Sequence, residues 1–314
     1  MKDLTSGNER GLILRFALPM LLGNVFHQLY NVVDSIVVGN FIGKEALAAV
    51  GASFPVIFVF FALVLGITSG STVVIAQYFG AKEIDKVKRN IDTLFIFLFF
   101  ASIVIGALGI VFSREIFVLL GLPEEVIPMA ETYLKIFFGG AIAFFGFIGT
   151  SASLRGLGDS KTPLYFLIVS TFFNIGFDLL FVIVFDWGIK GVAYASILAQ
   201  GGAFLTAIIY LNRTHSIIHF SLLNLKFDRD LFRKSMRIGL PTGVQQTVVA
   251  VGMMALIGIV NKFGTTVIAA YTVSARVNSL ATLPAMNFAN ALSTFVGQNL
   301  GAGKESRVRK GYVE

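Results

Sequence analysis

The chain contains no cysteine and only three histidines, so disulfide frameworks and thiolate metal centres are excluded. Charge is scarce as well: 14% of residues are Asp, Glu, Lys or Arg, against roughly 25% in an ordinary soluble domain. No GxxxxGK[ST] segment occurs, so the loop that would cradle the phosphates of ATP is missing. His215 and His219 have i,i+4 spacing but no acidic neighbour to complete a metal site. These absences leave no nucleophile or metal constellation. The chain is expected not to be an enzyme and to need no cofactor.

What is present is apolar. Hydrophobic residues make up 55% of the chain, with 32 Phe and a mean hydropathy of +0.80. A membrane-crossing helix needs about 20 mostly apolar residues. Eight segments qualify, at 13–38, 51–76, 92–113, 133–153, 164–185, 189–211, 239–261 and 267–297. The expected fold class is an all-α polytopic membrane protein of eight spans, the last interrupted by Pro284. The net charge of +7 invites a nucleic-acid reading, but its distribution refuses one. Nineteen Lys and Arg fall in alternate loops and five in the others, with Arg276 inside a span. That asymmetry orients a membrane protein, places both ends of the chain in the cytoplasm, and makes the lipid bilayer its partner instead of nucleic acid.

The chain also repeats. Arg15-Phe16-Ala17-Leu18-Pro19 returns as Arg237-Ile238-Gly239-Leu240-Pro241 at an offset of 222. Gln77 with Gly80-Ala81 returns as Gln298 with Gly301-Ala302 at an offset of 221. Six spans separate the two starts, so the copies share orientation and form a parallel repeat of six-helix bundles. The expected domains are an N-terminal lobe at 1–212, a cytoplasmic connector at 213–236, and a partial second lobe of two helices at 237–314. Within the connector, 227–236 reads as an interfacial helix or a charged linker. GxxxG spacings at Gly39/Gly43, Gly66/Gly70 and Gly239/Gly243 suit close helix packing. A cavity between two such lobes is the place for a transported molecule.

Ionisable groups inside a span are costly, so each that occurs is a candidate for function. Asp34 and Asp178 are the two intramembrane acids. Asn24, Gln28, Asn31 and Ser35 recur at helical spacing in the first span, with His27 and Asp34 beside them. Asp178 lies about 21 Å along the fifth span at 1.5 Å per residue, with Asn174 one turn below and Ser196 entering at similar depth on the sixth. Two carboxylates with amide and hydroxyl oxygens suit a hard monovalent cation, or one carboxyl carries a proton. In the second lobe Gln245 and Gln246, Arg276, and the stripe Asn287, Asn290, Thr294 and Gln298 are the polar residues that face either the cavity or neighbouring helices.

The segment Leu154-Arg-Gly-Leu-Gly-Asp-Ser-Lys-Thr-Pro163 resembles the LRGxGDTKTP stretch of the multidrug and toxic compound extrusion (MATE) family, closest to its prokaryotic damage-inducible-type branch. So do the Asp34 run Val33 to Gly39, the Asn174…Asp178 pair and the helix ends at Gln77 and Gln298. The decapeptide itself reads as a turn, with Gly156 and Gly158 permitting the reversal and Asp159 or Ser160 capping the next helix. The resemblance implies two six-helix lobes, and it implies that Asp34, Asn174 and Asp178, with Ser196, hold Na+ or H+. Asn24, Gln28, Asn31, Gln245, Arg276, Asn287 and Asn290 are the expected cavity-lining residues. The expected activity is secondary efflux of small organic, chiefly cationic, compounds in exchange for Na+ or H+, by a monomer in a bacterial or archaeal plasma membrane. The alternatives are a lipid-linked oligosaccharide flippase and a non-transporting fragment that needs a partner. A complete second copy would bring the chain to about 440 residues.

Overall fold

The computed structural model describes residues 2–214, 225–260, 263 and 265–313, with side chains at 257, 258, 265–270, 272, 273, 275–277, 279 and 280 outside the description. His215, His219 and the side chain of Arg276 therefore lie outside the described residues. Every regular element described is helical. The order is α1 (Glu9–Val37), α2 (Lys44–Gly80), α3 (Ile84–Val111), α4 (Ser113–Leu119), α5 (Ile127–Gly139), α6 (Ala141–Gly156), α7 (Lys161–Asp178), α8 (Gly188–Thr214), α9 (Arg229–Val260), α10 (Thr265–Gly301) and α11 (Glu305–Val313). Both α1 and α7 continue into π-helical turns, at Val38–Ile42 and Leu179–Val184.

Five of the described helices are long and apolar enough to cross a membrane, or six if α5 and α6 together form one span bent by 52°. The unbroken span expected at 133–153 is thus a broken one. The break falls at Gly139-Gly140, the weakest helix-forming pair in the segment. A side chain at Gly140 would collide with Ile197 at 2.4 Å, so the same glycine that weakens the helix lets α8 approach it. The connector also differs from a separate interfacial helix or linker, because residues from Arg229 onward are already the first turns of α9. Asp228 caps that helix through Oδ1, accepting from Asp230 N and Leu231 N at 3.1 Å each. Its own amide donates to Thr93 Oγ1 at 2.9 Å, which ties the helix start to α3.

The core between α2, α5 and α6 joins aliphatic side chains to a cluster of aromatic rings. Phe61 on α2 packs edge-on against Phe145 of α6 with ring centroids 4.7 Å apart, and against Phe138 of α5. Edge-to-face pairs add about 0.5–1.5 kcal/mol beyond their buried area. Large apolar residues on the other faces, such as Leu22, Phe100, Phe172 and Val248, are exposed, as lipid-facing residues are in a helix bundle.

Glycine decides how α2 meets α9. A Cβ on Gly66 would fall 2.2 Å from the Cα of Gly243, and one on Gly70 would fall 2.6 Å from the amide of Gly239. Two of the three GxxxG pairs therefore face each other, backbone against backbone. The third forms no such backbone-to-backbone seam, its Gly39 lying against the side chain of Leu47. Gly43 has φ +126° and ends the π-helical turn after α1, a conformation that only glycine adopts readily. A second close crossing joins the ends of α2 and α10 reciprocally. A Cβ on Gly80 would sit 1.9 Å from the carbonyl oxygen of Gln298, and one on Gly301 at 1.9 Å from that of Gln77.

The N-terminal segment seals this crossing. Leu4 is buried; its amide donates to Gln298 Oε1 at 2.9 Å and its carbonyl accepts from Asn299 Nδ2 at 3.1 Å. Gln298 Nε2 reaches the Gly156 carbonyl at 3.3 Å. Lys304 Nζ donates to the Thr5 carbonyl at 2.8 Å, and Arg307 pairs with Glu9 at 2.9 Å. Asp3 accepts from the Thr5 amide at 2.7 Å, and hydrogen bonding to Thr5 holds its carboxyl below the usual carboxylate range. Gly158 (φ +79°) is needed where this segment passes, because a Cβ there would meet the Lys2 carbonyl at 2.2 Å.

Gly66→Ala and Gly239→Ala are expected to cost about 1–3 kcal/mol each through backbone overlap. Gly51→Ala and Gly252→Ala, whose added methyl meets nothing within 4 Å, are expected to be neutral or slightly stabilising. Thermal unfolding of the four variants in one detergent checks this order. Gln298→Ala strands buried backbone groups of the N-terminal segment and is expected to cost about 1–3 kcal/mol in the same measurement.

Candidate functional site

The first-lobe cluster is built by α1, α7 and α8 with a tyrosine from α5. Asp34 sits in the last turn of α1 and Asp178 in the last turn of α7, each just before a π-helical turn. Such turns mark strained positions that often coincide with functional sites. Asp34, Asn174, Asp178 and Ser196 are all 0–1% exposed. The carboxyl groups of Asp34 and Asp178 are close enough to interact electrostatically. Ser196 Oγ is 2.7 Å from the hydroxyl of Tyr30.

The cluster is short of donors. Asp34 Oδ1, both carboxyl oxygens of Asp178, and Oδ1 and Nδ2 of Asn174 are buried without a hydrogen-bond partner among the described residues. Buried polar groups are normally satisfied, so this concentration of bare oxygens in one spot is the cluster's distinguishing feature. Two carboxylates in mutual contact repel unless a proton or cation lies between them. The four sequence-derived residues are thus neighbours. Tyr30 and Tyr133, which sequence reasoning did not single out, complete the surroundings; both lie within electrostatic reach of the two acids. Tyr30 was findable, since it precedes Asp34 by one helical turn. Tyr133 carried no signal, because only the α5–α6 bend brings it in.

A separate cavity of about 330 Å³ lies among α1, α2, α6, α7, α9 and α10. Asn24, Asn287 and Asn290 line it, and Asn24 Nδ2 donates to Asn287 Oδ1 at 2.8 Å between α1 and α10. Gln246 lines it while Gln245 is exposed elsewhere, because adjacent residues on a helix point about 100° apart. Gln28 and Asn31 are not in its wall; they lie further along α1 and bond each other at 3.3 Å. Thr294 faces the cavity, whereas Gln298 on the same stripe is spent on the N-terminal segment. In the decapeptide loop Asp159 is the cap, with Oδ1 accepting from Lys161 N and Thr162 N at 3.0 Å each. Arg155, in the last turn of α6, lines the cavity.

Comparison with known proteins agrees with this architecture. The MatE family model matches residues 19–180 and 241–313. The chain is 36% identical over 307 residues to the probable multidrug resistance protein YpnP of Bacillus subtilis (strain 168), covering 98% of this chain and 68% of that protein. It is 28% identical over 314 residues to the probable multidrug resistance protein NorM of Thermotoga maritima, covering 96% of this chain and 66% of the relative. Among solved structures, it superimposes on an outward-facing conformation of a multidrug resistance MATE family transporter with a TM-score of 0.91 at 25% identity, over 99% of this chain and 69% of that one. The chain thus spans about two thirds of the length of the relatives it matches. With the family model matching most of its length and its helices superimposing on those of a solved transporter, the chain belongs to the MatE family.

Proposed function

We propose that the chain acts in secondary active efflux, exporting small organic compounds in exchange for Na+ or H+ across a bacterial or archaeal plasma membrane. In this reading α9 and α10 are the seventh and eighth spans, the two copies are parallel repeats, both ends of the chain are cytoplasmic, and the protein acts as a monomer. The observation that carries the proposal is the set of five buried, unpartnered polar atoms on Asp34, Asn174 and Asp178. The four oxygens among them fit a hard monovalent cation and equally a shared proton. Tyr30 and Ser196 orient the rim of the site through their mutual hydrogen bond.

Coupling requires the ion to bind the two access states with different affinity. The cluster supplies a means, because it draws groups from α1, α5, α7 and α8. Neutralising its charge removes the repulsion between the carboxyls carried by α1 and α7, helices packed against each other, and favours one packing of them over another. The closed crossing of α2, α10 and the N-terminal segment on one side of the cavity supports a molecule able to seal one face at a time.

Asp34→Asn and Asp178→Asn are each expected to lower gradient-driven efflux at least tenfold in proteoliposomes, with insertion and thermal stability retained. Normal coupled efflux in both variants would overturn the proposal. Tyr30→Phe removes one hydrogen bond worth about 0.5–1.5 kcal/mol, and is expected to weaken the cation dependence of transport by up to about tenfold without abolishing it. Imposing a Na+ gradient and a pH gradient separately on the same vesicles identifies the coupling ion.

A further inference from the structure

Two helix crossings at repeat-related positions differ in the residues they carry. At the α2–α9 crossing Gly66 and Gly70 face Gly239 and Gly243. At the α10–α1 crossing Asn287 and Ala291 stand in place of Gly66 and Gly70, at the offset of 221, and Ala17 and Leu21 in place of Gly239 and Gly243, at 222. Side chains therefore separate the second pair of backbones. Ala17 and Ala291 pack together with Phe16, but space beside this contact stays unfilled. Two cavities lie there, of about 140 and 420 Å³, and Leu14 and Phe288 wall both of them. Together they form one groove along the seam.

The groove has an apolar floor and a basic end. From Arg10 to Leu21 it follows α1 for about 17 Å at 1.5 Å per residue, close to half of a hydrocarbon core roughly 30 Å thick. Leu14 and Leu18 are exposed along it, as is Phe288 on α10, so it opens outward from the bundle. Arg10 and Arg15 line it with exposed side chains, and Arg309 and Lys310 of α11 are exposed at the same end. The acids there are Asp3, bonded to Thr5, Glu9, paired with Arg307 at 2.9 Å, and Glu305 at the start of α11. Tyr312 adds a phenol to the wall, a residue type favoured at the membrane–water boundary. All of these side chains are among the described residues.

We propose that the groove between α1 and α10 is a binding site for one anionic phospholipid, its phosphate held by Arg10 and Arg15 and one acyl chain laid along Leu14, Leu18 and Leu21. Each guanidinium offers paired N–H donors that match phosphate oxygens. The basic residues at the mouth favour a headgroup of net negative charge over a zwitterionic one. An acyl chain fills space that no side chain fills, and gains dispersion contacts with both helices. A groove of about half the core thickness suits a lipid chain, whereas a spanning helix runs the full thickness. Because α1 also carries Asn24 and Asp34, the lipid rests against the helix that joins the cavity to the carboxyl cluster. The inference depends on the membrane location of the chain and not on the export proposal.

The test uses the purified full chain in a neutral detergent with two lipids of identical chains, dioleoyl phosphatidylglycerol and dioleoyl phosphatidylcholine, and reads retained lipid by native mass spectrometry. One phosphatidylglycerol per chain is expected, held at least fivefold more tightly than phosphatidylcholine. Arg10→Gln with Arg15→Gln is expected to remove that preference, and Arg10→Lys with Arg15→Lys to recover part of it. Leu14→Trp fills the groove from the residue common to both cavities, and is expected to lower retention of both lipids at least fivefold with the arginines in place. Lys88→Gln with Arg233→Gln, at two exposed positions away from the groove, is expected to change neither. An unchanged melting temperature in lipid-free detergent separates a lost contact from a lost fold. Equal retention of the two lipids by wild type would overturn the inference. So would an equal loss of preference in the Lys88 and Arg233 variant, by showing a general attraction to a basic surface. A lipid-free dimer abolished by Leu14→Trp would assign the groove to a second copy of the chain and overturn it as well. Glycerol phosphate bound as tightly as the whole lipid would show that no acyl chain is held, with the same consequence.

Discussion

The contact on which the rest depends is the glycine seam between α2 and α9. In a lipid environment the hydrophobic effect does little to press one helix against another, so association rests on packing and polar contacts. Gly66 and Gly70 opposite Gly239 and Gly243 bring two backbones closer than any side chain would allow. This fixes α9 against α2, and with it the position of Gln246 and Thr242 in the cavity wall. The reciprocal crossing of Gly80 with Gln298 and of Gly301 with Gln77 then sets α10 at the same end of the molecule. Asn24 and Asn287 meet across the boundary only because these two contacts hold the helices in register.

Polarity is divided among three places, each with its own economy. At the sealed end, Gln298, Asn299 and Arg307 are satisfied by the N-terminal segment, so their burial stabilises the closed arrangement. In the first lobe, Asp34, Asn174 and Asp178 keep oxygens unpartnered, which destabilises the bare cluster and leaves a demand for a cation or proton. In the cavity Arg155 has the opposite charge and the same lack of a partner. A fully satisfied network holds a shape, while an unsatisfied one waits for a ligand. The first group does structural work, whereas the other two keep polar atoms without a partner among the described residues.

Legibility in the sequence followed the range of the interactions. Asp34, Asn174 and Asp178 stood out because a carboxylate within an apolar run is rare, and i,i+4 spacing already places Asn174 and Asp178 on one face. Ser196 was legible by depth alone. Tyr133 was invisible, since the Gly139-Gly140 bend that directs α5 depends on the closeness of Ile197. Arg155 was read as part of a turn because its neighbours Gly156, Gly158 and Asp159 do form one. Which way its side chain leaves that turn depends on where α1, α2 and α10 lie around it. The same limit applies to Gln245 and Gln246, adjacent in sequence and separated by the face that α9 turns to the cavity.

Composition and spacing by themselves determined that this chain is helical and membrane-bound, that it carries two acids inside its spans, and that glycines recur where helices could touch. Those properties follow from the cost of placing charge and unpaired backbone in a lipid interior, a cost each segment meets separately. Tertiary structure alone decided which glycines face each other, which carboxyls share a site, and that Asn24, Gln246, Asn287 and Arg155 surround one cavity. The reason is physical: these pairings join residues up to 263 positions apart, and no local periodicity can choose among the helix rotations and crossings that would satisfy the same pattern.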